Sequence, residues 1–216
     1  MPPTRPAPNF LWTAASGSYN PRVARPREFV ESEVLDRALS AFWARGYDAT
    51  SIEDLVTATG LGRASLYGAF GDKEQLFRKV AERYLERAEQ AMDAVTQGLA
   101  PREAVLAFLR SRANEPPWES SQPGCFLQMC ATTGTTPPLV RDLQEATGAK
   151  VVKWLVEQLT RAQAKGELHP DENPAALASF LAILVSGLTA SARAGVPRQA
   201  LDTAIAQAME KVFGAS

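Results

Sequence analysis

The chain is poor in the residues that most often carry chemistry. It has one histidine, His169, and two cysteines, Cys125 and Cys130, among 216 residues. A lone histidine excludes a His-rich metal site, and two cysteines are too few to staple a disulfide scaffold. Neither sign of charge is in excess: 23 Lys+Arg stand against 24 Asp+Glu, a net charge of −1. That excludes a uniformly basic nucleic-acid coat and a polyacidic buffer, so an anion-binding surface has to be local. Long apolar runs are missing too. None exceeds six residues, the length of Phe180 to Val185, against the ~18 a membrane span needs. No Gly-x-Ser-x-Gly, phosphate loop or set of carboxylates at catalytic spacing is present, which argues against an enzyme. These absences predict no membrane partner, no metal, no cofactor and a cytoplasmic location. What is present, 45 % hydrophobic and 22 % charged residues, suffices for a folded core in one or two domains.

The pattern along the chain is all-α. Residues 1–27 read as an N-terminal arm. Six prolines (2, 3, 6, 8, 21 and 26) prevent a regular helix there, and Arg5, Arg22, Arg25 and Arg27 precede the first acid, Glu28. Phe10-Leu11-Trp12 is too short for a signal-peptide core. Val34, Leu35, Ala38 and Phe42 mark one face of a helix over about residues 30–45, stopped by Gly46. Thr50 with Glu53, or Ser51 with Asp54, fits a capping box opening a short helix whose buried side is Ile52, Leu55 and Val56. Gly60 breaks it, and Arg63 to Phe70 forms the next, with Leu66 and Phe70 on one face. Asp72 with Gln75 caps a long helix to about Gln97, its inner face Leu76, Phe77, Val80, Tyr84 and Ala88. Pro101, Pro138, Pro174 and Pro197 open further helices, and a short apolar helix covers Cys125 to Thr132. No two-residue alternation is sustained, so no strands are expected.

The informative stretch is residues 50–77, TSIEDLVTATGLGRASLYGAFGDKEQLF. Two short helices hinged at a glycine can cross closely, one lying in a DNA major groove while the other braces it. The exposed face of the second is then Gly62, Arg63, Ser65, Tyr67 and Gly68. Charge alone does not argue for DNA, because residues 22–83 hold ten Lys/Arg and ten Asp/Glu.

This stretch resembles the TetR (tetracycline-repressor-like) family of transcriptional regulators. The matching segments are Trp43 to Tyr47, Thr50-Ser51-Ile52, Thr59-Gly60-Leu61, Ser65-Leu66-Tyr67 and Phe70 through Leu76, in the family's order. The resemblance covers about residues 30–80. It implies an all-α protein with a three-helix helix-turn-helix DNA-binding domain (28–72) and a C-terminal helical bundle for ligand binding and dimerisation (73–216). It implies a double-stranded DNA operator, a small-molecule effector and a homodimer as partners. Arg63 is the expected base contact, since arginine bonds guanine O6 and N7 together. Ser65, Tyr67, Lys73, Thr50 and Ser51 are expected at bases or phosphates, and Arg25 and Arg27 at phosphates or the minor groove. Many members have Ser where Gly62 stands, His-Tyr where Gly68-Ala69 stand, and Ala where Val56 stands. Those departures predict a different operator and thinner contacts from this helix, with the Arg-rich arm compensating.

In the C-terminal half, small residues interleave with Leu177, Phe180, Leu181, Leu184 and Leu188, a helix apolar nearly all round and so expected to be buried. Leu201, Ile205, Ala208 and Val212 put a stripe on the last helix. The last two helices of two chains are expected to pair. Tyr84, Phe108, Trp118, Cys125, Phe126, Met129 and Trp154 are the candidate pocket residues, suited to a hydrophobic or aromatic ligand. Cys125 and Cys130 do not share a helical face, whereas Cys125 and Met129 do. A thiol- or soft-metal-responsive regulator of the same fold is the alternative, and a helical protein-interaction module without DNA binding a further one. His169 is expected at the surface.

Overall fold

The computed structural model describes residues 29–114, 124–132 and 137–214. The expected arm, with Arg25 and Arg27, and the candidate pocket residue Trp118 lie outside the described residues. Those described form nine helices and no strand: α1 (Glu31–Arg45), α2 (Ile52–Thr59), α3 (Arg63–Phe70), α4 (Lys73–Thr96), α5 (Pro101–Arg112), α6 (Phe126–Thr132), α7 (Pro138–Ala164), α8 (Pro174–Arg193) and α9 (Arg198–Phe213).

Local chemistry sets the boundaries. Of the two capping boxes open at the start of α2, Ser51 with Asp54 forms. Asp72 and Gln75 form the second box at α4, and the Asn173 side chain accepts from the amides of Ala175 and Ala176 at α8. Each box satisfies amides that a helix start leaves without partners. Gly60, at φ 72°, turns the chain from α2 into α3, in a left-handed conformation that other residues adopt at a cost.

The buried apolar residues form two clusters. One holds α1 to α3 together with the first three turns of α4, and it continues into α6 (Phe126, Leu127, Cys130) and the start of α7 (Leu139, Val140). The other joins α5, the second half of α7, α8 and α9. The core around the helix-turn-helix therefore continues past residue 72. At its centre Trp43 meets Tyr84 edge-on at 5.3 Å and Phe126 at 5.8 Å, and Phe77 meets Phe42, Tyr47 and Phe126 at 4.9–5.4 Å. Trp43 is fully buried, and its indole Nε1 meets no hydrogen-bond acceptor among the described residues.

Two expectations need correction. α8 is not buried all round within one chain. Ala178, Leu181, Leu188 and Thr189 are buried, but Phe180 is 42 % and Ile183 75 % exposed. An 18-residue window of α8 reaches a mean hydropathy of 1.9 with 22 % of it buried, so by length and composition this helix is apolar enough to cross a membrane. The six-residue run understated this because alanines, serines and a glycine extend the apolar character. On α9, Leu201, Ile205, Ala208 and Val212 are buried in their own chain's core. That stripe is not available for a second copy.

A charge cluster fastens α1 to α4. Arg83 donates to both carboxylate oxygens of Asp36, at 2.8 and 3.0 Å, and Arg87 donates to it at 2.9 Å. Partial burial works against the Asp36 charge, but the bonds from Arg83 and Arg87 outweigh it and hold the carboxyl below its ordinary range. A carboxyl depressed by folding contributes stability above its unfolded pKa of ~3.9 and loses it as pH falls through the lower folded value. Asp36→Asn is therefore expected to lower the thermal midpoint at pH 7. It is also expected to flatten the loss of stability below about pH 4, as checked by melts of both proteins from pH 7 down to pH 2.

Candidate nucleic-acid interface and effector cavity

α3 turns Leu66 and Phe70 into the core and leaves Gly62, Arg63, Ser65, Tyr67 and Gly68 exposed. This is the face the spacing predicted. Leu55 and Thr59 anchor α2 beneath it, and Arg37 of α1 donates to the Thr59 carbonyl at 3.3 Å, tying the end of α2 to α1. α3 starts at Gly62 without a side-chain cap, so its opening amides face solvent chemistry unaided by a hydroxyl or carboxylate.

The other predicted contacts divide. Ser51 is exposed at the α2 start, its hydroxyl 2.7 Å from Asp54. Thr50 is turned inward: it is fully buried, and its hydroxyl donates to the Gly46 carbonyl at 2.6 Å. The turn between α1 and α2 needs that bond, so Thr50 braces the turn instead of facing a phosphate. Lys73 lies half-buried with its ammonium 4.4 Å from the centre of the Tyr47 ring. Burial lowers its pKa, while the Asp48 charge pulls the other way. At this α4 start the Asp72 carboxylate already accepts from the Gln75 amide at 2.8 Å, which fills part of the anion site expected there.

Sequence spacing did not reveal that Glu53 of α2 pairs with Arg63 of α3. Both are exposed, so the pair itself contributes little to stability. It does hold the guanidinium that faces outward. No helical periodicity links residues ten apart on different helices, so only the turn at Gly60 brings them together.

Between the two apolar clusters lies a cavity of about 240 Å³ bounded by α4, α5, α6, α7 and α8. Of the candidate pocket residues, Tyr84, Phe108 and Cys125 line it. Phe126 and Met129 belong with the core around the helix-turn-helix. Trp154 packs on Phe108 at 4.9 Å and borders a separate surface hollow with Thr96 and Lys165. The Tyr84 hydroxyl donates to Cys125 Sγ at 3.7 Å. Burial, then the neighbouring Cys125, push the Tyr84 hydroxyl well above its ordinary pKa. Burial pushes the Cys130 thiol up to about 12, leaving it protonated and unreactive. Cys125 and Met129 do not meet at the cavity, and no three His, Cys, Asp or Glu gather as a metal site among the described residues. His169 is exposed, as expected.

Comparison with known proteins decides the class. Residues 34–80 match the family model of bacterial regulatory proteins of the tetR family, and residues 98–208 match the tetracyclin repressor-like C-terminal domain. The chain is 32 % identical to the transcriptional repressor ComR of Escherichia coli over 180 residues, 82 % of this chain and 86 % of ComR. It belongs to the TetR family.

A solved TetR-family regulator, CifR, is 34 % identical with a TM-score of 0.78, covering 86 % of this chain and 98 % of that one. That structure is a cysteine mutant complexed with 26-bp double-strand operator DNA. The E. coli repressor BdcR is 25 % identical over 189 residues, 87 % of this chain and 91 % of BdcR. This TetR-family chain is a DNA-binding transcriptional repressor by those relationships, and its family consists of regulators, not enzymes.

Two substitutions probe the exposed α3 face of this TetR-family chain. A methyl group added at Gly68 meets nothing within 4 Å, so Gly68→Ala is expected to stabilise α3 by about 0.5–1 kcal/mol, read as a rise in the thermal midpoint. Glu53→Gln removes the ion pair to Arg63 and a negative charge from this face. It is expected to raise DNA affinity several-fold at low salt, measured by fluorescence anisotropy.

Proposed function

We propose that the protein acts in the cytoplasm as a homodimeric repressor. It binds a palindromic operator and is released from it by a small, largely apolar ligand. The observation that carries this reading is the outward face of α3, with Arg63, Ser65 and Tyr67 on a helix held from below by Leu66 and Phe70. Arg63 reads a guanine edge once it leaves Glu53. Ser65, Tyr67, Ser51 and Lys73 hold the phosphates that set register.

The exposed stripe of α8 supports self-association. Ala176, Ser179, Phe180, Ile183, Gly187 and Ala190 recur at helical spacing on its open side, and small residues of this kind let two helices approach closely. Two recognition helices then fall about 34–36 Å apart, one turn of DNA. α9 contributes its outer, more polar side. The cavity supports the effector reading because Tyr84 and Leu127 belong both to its wall and to the core of the DNA-binding half. A ligand that binds better to a spacing unsuited to the operator shifts the population off DNA.

A second reading has one observation in its favour. Cys125 stands at the cavity wall beside the Tyr84 hydroxyl, so a thiol-reactive effector has access to it. Cys125→Ser with intact DNA binding and lost induction would support that reading over reversible occupancy.

A shift assay on the DNA upstream of the protein's own gene, run across a salt series, tests the main reading. Retention that weakens with salt is expected, and no specific retention at any salt would sink it. Arg63→Ala is expected to cost about 1–3 kcal/mol of operator discrimination, while Lys73→Ala lowers the salt slope by about one. Ile183→Asp is expected to give monomers in sedimentation and to lose operator binding.

A further inference from the structure

We infer that the cavity takes a small carboxylic acid, its carboxylate paired with the Arg112 guanidinium and its apolar body lying against α4, α7 and α8. This rests on the cavity being the effector site.

Arg112, the last residue of α5, is the one charged side chain among the described residues lining the cavity. Its guanidinium lies over the Phe108 ring at 5.0 Å, and its Nε donates to the Ser111 hydroxyl at 3.2 Å. Both neighbours are neutral. Among the described residues no carboxylate pairs with it. Arg112 also lines an adjoining hollow of about 230 Å³ with Glu89 and Asp93; neither acid forms an ion pair with it, and Glu89 is taken by Lys150 at 2.6 Å. Arginine does not discharge in a protein. A half-buried guanidinium against apolar walls pays for lost hydration without a counter-charge. A ligand carboxylate restores the balance through two parallel N–H···O bonds, the geometry this side chain favours.

The rest of the wall describes the body of the ligand. Leu85, Ala88, Val151, Val152 and Val185 are aliphatic. The polar groups opposite are already satisfied: Thr189 donates to Gln128 at 2.7 Å, and Gln128 to the Ser186 carbonyl at 3.4 Å. A volume of about 240 Å³ lies below the ~300–1,000 Å³ of most ligand sites. It suits a short aliphatic or single-ring acid better than a long acyl chain. Gly148 lines the same space in mid-α7, and a methyl group added there meets nothing within 4 Å. A larger side chain at this position fills the cavity without touching its charge.

The test is calorimetric titration of the full-length protein with hexanoate and benzoate against hexanamide and benzamide, equal in shape and neutral. The acids are expected to bind at least tenfold more tightly than their amides. Arg112→Gln, which keeps most of the stem over Phe108, is expected to bring each pair within threefold. Arg112→Lys retains part of the preference and guards against a folding defect in the first variant. Gly148→Leu is expected to weaken every probe at least tenfold. Equal affinities for acid and amide, a preference that survives Arg112→Gln, undiminished binding to Gly148→Leu, or no binding of any probe would each overturn the inference. Operator release is read separately by anisotropy. An amide that binds as well as its acid and releases DNA leaves the effector reading standing and removes the carboxylate. An acid that binds through Arg112 without releasing DNA keeps the inference and removes the effector reading.

Discussion

The structure depends on one aromatic knot. Trp43 from α1, Phe77 and Tyr84 from α4, and Phe126 from α6 pack ring against ring, with centroids 5.1–5.8 Å apart where they meet each other or Phe42. Rings at these spacings and tilted angles gain from the attraction of edge to face as well as from lost contact with water. The knot fixes α1, and through it α2 and α3, to the long α4. It also explains why α6 belongs with the DNA-binding half although it follows α5 in sequence. Tyr84 and Leu127 each serve two environments, a dry core on one side and a cavity on the other. Dense interiors transmit displacement instead of absorbing it, so the two halves share a wall as well as a helix.

Electrostatics act locally in a chain that is nearly neutral. Asp36 gathers Arg83 and Arg87 into a second tie between α1 and α4. Glu53 occupies Arg63 on the outer face. Lys73 leans on Tyr47. Of the described basic groups expected at nucleic acid, Arg63 and Lys73 are thus partnered within the protein, and a phosphate or base would have to compete for them. Such competition costs affinity but discourages loose association with any polyanion.

Much of this architecture was legible in the residues. Proline at helix starts, glycine at helix ends and two capping boxes placed the helices to within a residue or two, and the three-to-four-residue spacing of Leu66 and Phe70 gave the outward side of α3. What was not legible depends on packing between distant segments. Thr50 looked like a helix-start hydroxyl, and only the turn around Gly46 shows it inside. The α9 stripe had the same periodicity whether it met its own chain or another. Trp154 and Phe126 carried the composition of a pocket, but Trp154 borders a surface hollow and Phe126 packs into the core. The cavity is framed by five helices, and Arg112 was silent in sequence because its meaning lies in pairing with no carboxylate among the described residues.

The buried indole of Trp43 has an optical consequence. An indole ring sealed from water emits at short wavelength, and water reaching its N–H moves that emission to the red. Trp43 sits where α1, α4 and α6 converge, so in a variant with Trp12, Trp118 and Trp154 replaced by phenylalanine its fluorescence gauges the tightness of that junction without an attached dye.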